Sequence, residues 1–268
     1  MTITEWIIGA SRQLKAVAIE TSRLDVEVIL AHTLVKPRTY LHAHGEDEIP
    51  AKLADIADAR LQLRLEHVPI AYIIGHKEFY GRRFHVNPSV LIPRPESEVI
   101  IELLKKHLSS KTQSLLDIGT GSGCLGITTK LEFPNLDVTL CDISESALIT
   151  AAENADSLRV ELKILHSDLL KSIHGTFDCI IANLPYVDKS WQRSPETDFE
   201  PGLALFANDD GLDLINHLLQ QAPSSLNQNG LIMLEADPCQ HHRISAIADS
   251  FGFKQIDSED YILVFQKL

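Results

Sequence analysis

Apolar residues recur at intervals of three and four over residues 4–35 and 50–66, the spacing that turns one side of a helix toward a core. In the second stretch Leu53, Ile56, Ala57, Leu61 and Leu65 keep this period, interleaved with Arg60 and Arg64. The polar run His42–Asp47 predicts a break between the two stretches, and Pro69 is expected to end the helical region. Glu78–Val86 then predicts a short hairpin around Gly81. Ile92–Glu96 is extended, because Pro93 and Pro95 each disfavour helix at the residue before them. Glu98–His107 returns to helix.

From Ser114 onward short apolar runs alternate with amphipathic stretches. Strands are predicted at 114–118, 137–141, 161–165, 177–182 and 230–235, and helices at 123–131, 145–155 and 211–221. This alternation predicts a doubly wound, parallel α/β sheet. The end of the chain departs from it. Phe253–Ile256 and Tyr261–Phe265 are joined by Asp257–Asp260, a link too short for a parallel crossover, so this pair must be antiparallel. A Rossmann-like sheet closed by an antiparallel hairpin is the class I methyltransferase architecture, whereas dinucleotide-binding sheets stay parallel. The expected organisation is a helical domain over 1–70, a hairpin and linker over 71–95, and the α/β domain over 96–268.

Composition narrows the function classes. The chain has 268 residues, of which 44% are hydrophobic and 23% charged, as in soluble globular proteins. No apolar run approaches the length of a membrane span, and the N-terminus has neither the basic lead nor the apolar core of a secretory signal, so a cytoplasmic protein is expected. Cys124, Cys141, Cys179 and Cys239 form no C-x-x-C pair and are expected to be mostly buried free thiols in a reducing compartment. The net charge of −13 argues against a sequence-independent grip on nucleic acid, although Arg82-Arg83 offers a local basic patch. His42/His44 and His241/His242 lack a convincing third ligand, and no metal is expected.

Two stretches carry the chemistry. Leu115–Ile118 is an apolar strand that runs into Gly119-Thr120-Gly121-Ser122-Gly123, where glycines let backbone N–H groups approach a ligand at the start of a helix. Asp117 stands directly before this loop, and Asp142 ends the next strand, placed to accept ribose hydroxyls. Gly121-x-Gly123-x-x-Gly126 also fits the dinucleotide fingerprint, so the loop alone leaves a nicotinamide dinucleotide and S-adenosylmethionine both open. Two points tip the balance: Asp117 would repel a pyrophosphate but not a methionine ammonium, and Asn-x-Pro-Tyr follows the fourth strand on the edge of the sheet where ligands bind. Asp168 ends the third strand, as an acceptor for an adenine amino group or as a turn cap, with Leu169 packing on the ring.

The second stretch is Asn183-Leu184-Pro185-Tyr186, after the fourth strand and on the same edge of the sheet. An amide nitrogen is a poor nucleophile because its lone pair is delocalised into the carbonyl. Two acceptors aimed at its N–H bonds favour the pyramidal, methyl-accepting form: the Asn183 side-chain oxygen and the Leu184 backbone carbonyl. Pro185 keeps the carbonyl aimed, and Tyr186 packs on the planar group. Phe79, in the hairpin, is a candidate wall of the acceptor pocket or a core aromatic. Without the upstream loop, an ordinary strand-ending turn would account for the motif.

With these residues in place, the chain resembles the HemK-type protein-(glutamine-N5) methyltransferases that modify peptide chain release factors. The resemblance rests on His67–Gly75, Glu78–Gly81, Val90–Glu96, the Asp117–Gly123 loop, Glu200-Pro201, Ala204-Leu205 and Asp210–Leu212. It implies that S-adenosylmethionine lies over Gly119–Gly123, Asp142 and Leu169, leaving S-adenosylhomocysteine as product. It also implies that the target glutamine sits at Asn183–Tyr186 beside that cofactor. The N-terminal helices would recognise the release factor, and the protein would act as a monomer without nucleic acid or membrane. The sequence departs from the family at Leu184, where proline is usual, at Ser97, where threonine is usual, and at Glu235–Pro238, which replaces a Glu-Ile-Gly segment. Asn-Leu-Pro-Tyr is more familiar in ribosomal RNA adenine dimethyltransferases, which makes a nucleic-acid adenine-amino methyltransferase the second expectation and a non-catalytic cofactor-binding module the third.

Overall fold

The three-and-four spacing near the N-terminus folds as α1 (Ile3–Ala16) and α2 (Ser22–Leu34). In the computed structural model, which describes residues 1–268, Thr2 starts α1 with a capping box: its hydroxyl accepts from the Glu5 amide and the Glu5 carboxylate accepts from the Thr2 amide. A short helix, α3 (Arg38–Ala43), runs into the first two residues of the predicted polar break, which otherwise holds and is followed by α4 (Ala51–Leu65). Pro69 does not end the helical region. It caps α5 (Ile70–Ile74), where its missing N–H costs nothing and its carbonyl accepts from the amides of Tyr72 and Ile73. Trp6, Leu14, Ile29, Leu30, Leu41 and Leu61 are buried together at the centre of these helices.

The chain forms two compact units, 1–76 with 194–199, and 77–193 with 200–268. The segment expected as a linker therefore counts mostly with the larger unit, and the stretch 194–199 folds with the helices. Inside the helical unit lies a buried ion cluster. Arg64 donates to Asp25 at 2.7 Å, to Glu196 at 2.5 Å and to the Val68 carbonyl at 3.1 Å.

The larger unit opens inside the hairpin β1 (His76–Phe79) and β2 (Arg82–His85), one residue into β1, and continues to α6 (Glu98–His107). Phe79 and Phe84 pack edge to face, and both are fully buried with Ile100 and Leu104 of α6. Phe79 is thus a core aromatic and not a pocket wall, because it shares the inward face of the hairpin with Phe84.

The alternating pattern gives β3 (Ser114–Ile118), α7 (Cys124–Glu132), β4 (Asp137–Asp142), α8 (Glu145–Leu158), β5 (Lys163–His166) and β6 (Phe177–Ala182). A short helix, α9 (Gly202–Leu205), then precedes α10 (Asp213–Ser225), β7 (Leu226–Glu235), α11 (His241–Ser250), β8 (Phe253–Glu259) and β9 (Ile262–Lys267). The 7-stranded sheet has the order β5-β4-β3-β6-β7-β9-β8. It is parallel except at β9, which runs antiparallel to both neighbours, as the short terminal link requires. Both faces of the sheet are covered. Ile180, Ile232 and Leu263 face one core, while the neighbouring Ile181, Met233 and Ile262 face the other. Strands buried on two sides read as continuous apolar runs, which is why they were visible in the sequence. All four cysteines are free, with Cys141 and Cys179 buried and Cys239 exposed. No helix is long and apolar enough to cross a membrane.

Strand order reverses between β3 and β6, the switch point at which open α/β sheets bind ligands. The register pairs Cys141 with Ile118, Ile118 with Ala182, and Ala182 with Leu234. The next residue on each strand is therefore Asp142, Gly119, Asn183 and Glu235, side by side along one edge.

Candidate active site

A cleft holding about 1120 Å³ of space, its open mouth included, lies over these strand ends. Gly119, Thr120, Gly121, Ser122, Asp142, Asp168, Leu169, Asn183, Leu184 and Pro185 all line it. Asp117, Gly123, Tyr186 and Phe79 do not.

The loop is braced by β4 and by its own backbone. Gly119, Gly121 and Gly123 take φ of +67°, +56° and +79°, the left-handed region that favours glycine. The amide of Thr120 donates to the Cys141 carbonyl at 3.0 Å, that of Gly121 to Asp142 at 2.9 Å, and that of Gly123 to the Thr120 carbonyl at 2.8 Å. The loop therefore spends on the fold, two of them on β4, donors that a pyrophosphate would need. Gly126 serves packing: a Cβ there would come 2.1 Å from Leu140 and 2.9 Å from Asp117.

Asp117 lies beneath the loop and is 1% exposed. One carboxylate oxygen accepts from the Thr120 hydroxyl at 2.6 Å and the Gly126 amide at 3.0 Å, while the other is buried without a partner. It positions the loop through Thr120 and Gly126 and does not itself line the cleft. Burial raises its pKa to about 7, against the two hydrogen bonds and with help from the Asp142 charge. A raised folded-state pKa means that the folded protein holds this proton after the unfolded chain has lost it. The associated stability is present in full below about pH 4 and is lost as pH rises toward 7. Asp117→Asn is expected to flatten this fall, and melting temperatures of both forms between pH 4 and pH 8 check it. Parallel curves would show that Asp117 does not hold the proton.

Asp142 accepts from the Gly121 amide with one oxygen and from the Ser144 amide with the other, each at 2.9 Å, so it orders the loop as well as the cleft wall. Asp168 is partly exposed and pairs with Lys171 at 2.5 Å. Leu169 sits at φ +49°, held there by the Ser167 hydroxyl, which donates to its carbonyl at 2.7 Å. This strained turn presents the Leu169 side chain to the cleft.

At the end of β6 the Asn183 amide nitrogen donates to the Ser97 hydroxyl at 3.1 Å. Ser97 donates in turn to Glu235 at 2.6 Å, and Tyr186 donates to the other oxygen of Glu235 at 3.4 Å. Tyr186 thus turns away from the cleft toward β7 and braces the motif, where a stacking role was expected. Its carbonyl is held by Gln240 at 2.9 Å. The Leu184 side chain is buried, and a Cβ on Gly119 would touch it at 3.0 Å, so it packs the acceptor motif against the loop. Burial pushes the Glu235 carboxyl above its usual range, while the Ser97, Tyr186 and Asn183 donors pull it down. Glu200 accepts from the Ile92 amide at 3.1 Å and from Arg94, which ties the extended Pro93 segment to the cleft wall at Pro201–Ala204. The sequence marked Ser97 and Glu235 only as departures. The signal that places them is strand register, which becomes visible once β6 and β7 are known to be neighbours.

Residues 95–196 match the Methyltransferase small domain and residues 5–75 the PrmC N-terminal domain. The chain is 38% identical over 250 residues to a release factor glutamine methyltransferase of Koribacter versatilis (strain Ellin345), covering 89% of each chain. It is 35% identical over 262 residues to one from Neisseria gonorrhoeae, covering 96% of this chain and 92% of the relative. A bifunctional methyltransferase of Rickettsia bellii is 34% identical over 287 residues, and the match spans 51% of that longer protein. Among solved structures, a methyltransferase from Pyrococcus furiosus superposes with a TM-score of 0.56 at 22% identity, covering 78% of this chain and 97% of the other. The T. thermophilus 16S rRNA N2 G1207 methyltransferase gives 0.55 at 18% identity, covering 72% and 49%. These two share the fold alone, whereas the two release factor glutamine methyltransferases match 89% and 96% of this chain, and the chain belongs to the release factor glutamine methyltransferase family.

Proposed function

We propose that this protein methylates a glutamine side-chain amide in a peptide chain release factor, with S-adenosylmethionine as methyl donor. The observation that carries this is the Asn183 amide, which lines the cleft with its nitrogen tied back to Ser97. Its oxygen is left as an acceptor for the N–H of a bound planar amide. The Leu184 carbonyl supplies the second acceptor, and Pro185 limits how far it can turn. Held by both N–H bonds, the amide nitrogen loses overlap with its carbonyl and keeps its lone pair for the incoming methyl group. Water can take the proton that leaves the nitrogen afterwards.

The residues present suit this donor. Bound there, S-adenosylmethionine supplies an electrophilic methyl group on a sulfonium centre. Asp142 has lone pairs left for ribose hydroxyls, Asp168 and Leu169 offer an acceptor and an apolar face for adenine, and the braced loop suits a ligand without phosphates. Calorimetry should find binding of S-adenosylmethionine and none of NAD, with tighter NAD binding overturning the assignment. Asp142→Ala should weaken the first by about 1–3 kcal/mol, the usual scale for hydrogen bonds to a charged group. The helical unit is assigned to recognition of the protein substrate. Labelled S-adenosylmethionine, a purified release factor and peptide mapping test the whole proposal. Label on a single glutamine supports it, and label on an adenine of added RNA or DNA instead would favour the nucleic-acid alternative.

A further inference from the structure

Glu235 makes no contact with the cleft, yet its neighbours connect it to the residue that does. An asparagine amide fits its site in two nearly isosteric orientations, and only one presents the oxygen to a substrate N–H. In the other, an NH₂ group faces an N–H, donor against donor. Ser97 stands between the two possibilities because its hydroxyl has one proton to give. An ionised carboxylate can only accept, so Glu235 at 2.6 Å takes that proton. The Ser97 oxygen is then left to accept, and the Asn183 NH₂ fills it at 3.1 Å. Tyr186 closes the set from the other side by donating to Glu235 as well. The carboxylate is 2% exposed and its partners are hydroxyls and an amide rather than a cation.

We propose that Glu235 is the positioning residue of the acceptor site: through Ser97 it fixes which way the Asn183 amide faces, and thereby keeps the Asn183 oxygen toward the target amide. The strand register serves this directly, since Asn183 and Glu235 follow the paired residues Ala182 and Leu234 on adjacent parallel strands. The inference rests on the amide-clamp role of Asn183.

Glu235→Met keeps the bulk and removes both acceptors. Ser97 is then free to donate to the Asn183 oxygen, which turns the NH₂ group toward the substrate. Its kcat on a release factor should fall by about 10-fold to 100-fold, the usual cost of losing a group that orients a site residue, with KM for S-adenosylmethionine within about twofold. Glu235→Gln keeps one oxygen that can accept from Ser97 and should recover most of the lost kcat. In a Ser97→Ala background, Glu235→Met should add less loss than it causes alone, because the relay through Ser97 is already gone and only the direct Asn183–Glu235 interaction remains. Three results overturn the inference: wild-type kcat in Glu235→Met, a loss shared equally by kcat and cofactor affinity, or full additivity with Ser97→Ala. Asn183→Ala measured alongside separates the two claims. If it turns over normally, the clamp itself falls; if it is inactive while Glu235→Met is not, only the role of Glu235 falls. Should Glu235→Met not fold, Ser97→Ala against Ser97→Thr gives the same readout, with the loss expected in the first and not the second.

Discussion

Asn183→Ala should lower turnover on a release factor by about a hundredfold or more, the scale seen when one preorganised polar partner of a reacting group is removed. The cofactor dissociation constant should change far less. Alanine takes away the side-chain acceptor at the cleft but leaves the glycine loop, Asp142 and the Leu184 carbonyl where they are. The substrate amide then keeps one acceptor, and its nitrogen stays closer to planar. Asn183→Asp separates hydrogen-bond acceptance from charge. A carboxylate accepts from the substrate N–H, but it can no longer donate to Ser97, and it would stand beside Glu235, whose carboxylate already takes the Ser97 proton. Partial activity is therefore expected, below wild type and above alanine. Single-turnover kinetics with saturating cofactor provide the measurement. Near-normal turnover by Asn183→Ala on a confirmed protein substrate would show that the nitrogen is activated some other way.

The parts of this molecule that were legible in the sequence are those governed by local rules. Two-faced burial made β3, β4, β6 and β7 appear as apolar runs, and the length of the terminal link decided the direction of β9. The glycine loop and the Asn183 motif announced themselves because both depend on residue types at fixed spacing. What stayed hidden depends on partners distant in sequence. Asp117 reads in the sequence as a cleft residue, yet one of its oxygens is engaged by the Gly126 amide beneath the loop, and the Gly121 amide is engaged by Asp142. The sequence points to Leu184 through its backbone carbonyl, while its side chain seats the Asn183–Tyr186 segment against Gly119. Ser97 and Glu235 lie 138 positions apart, and no periodicity joins them. The helix after Pro69 is hidden for a different reason: proline stops a helix from its interior but starts one from its N-terminal end, and the sequence pattern does not distinguish the two.

The same dependence on distant partners leads to a large expected loss in the helical unit. Arg64→Met should destabilise that unit by about 3–5 kcal/mol, the cost of breaking a buried ion pair from one side. The Arg64 side chain is 3% exposed and that of Asp25 6%, with 2.7 Å between them. Methionine fills the space but leaves the Asp25 carboxylate with the Thr21 hydroxyl at 3.0 Å as its remaining side-chain donor. It also frees Glu196 and the Val68 carbonyl, so the segment 194–199 and the end of α4 lose their common anchor. Hydrogen exchange should report this as faster exchange across α1, α2 and α4, with the strands of the larger unit unchanged. Since the cofactor cleft is built entirely from the larger unit, S-adenosylmethionine should still bind while methylation of an intact release factor falls. Adding Asp25→Leu should recover much of the loss, because a buried pair replaced whole by apolar side chains leaves no charge without its partner. An unchanged denaturation midpoint for Arg64→Met would mean that the Asp25 carboxylate finds compensation elsewhere, and that the cluster does not hold the helices together.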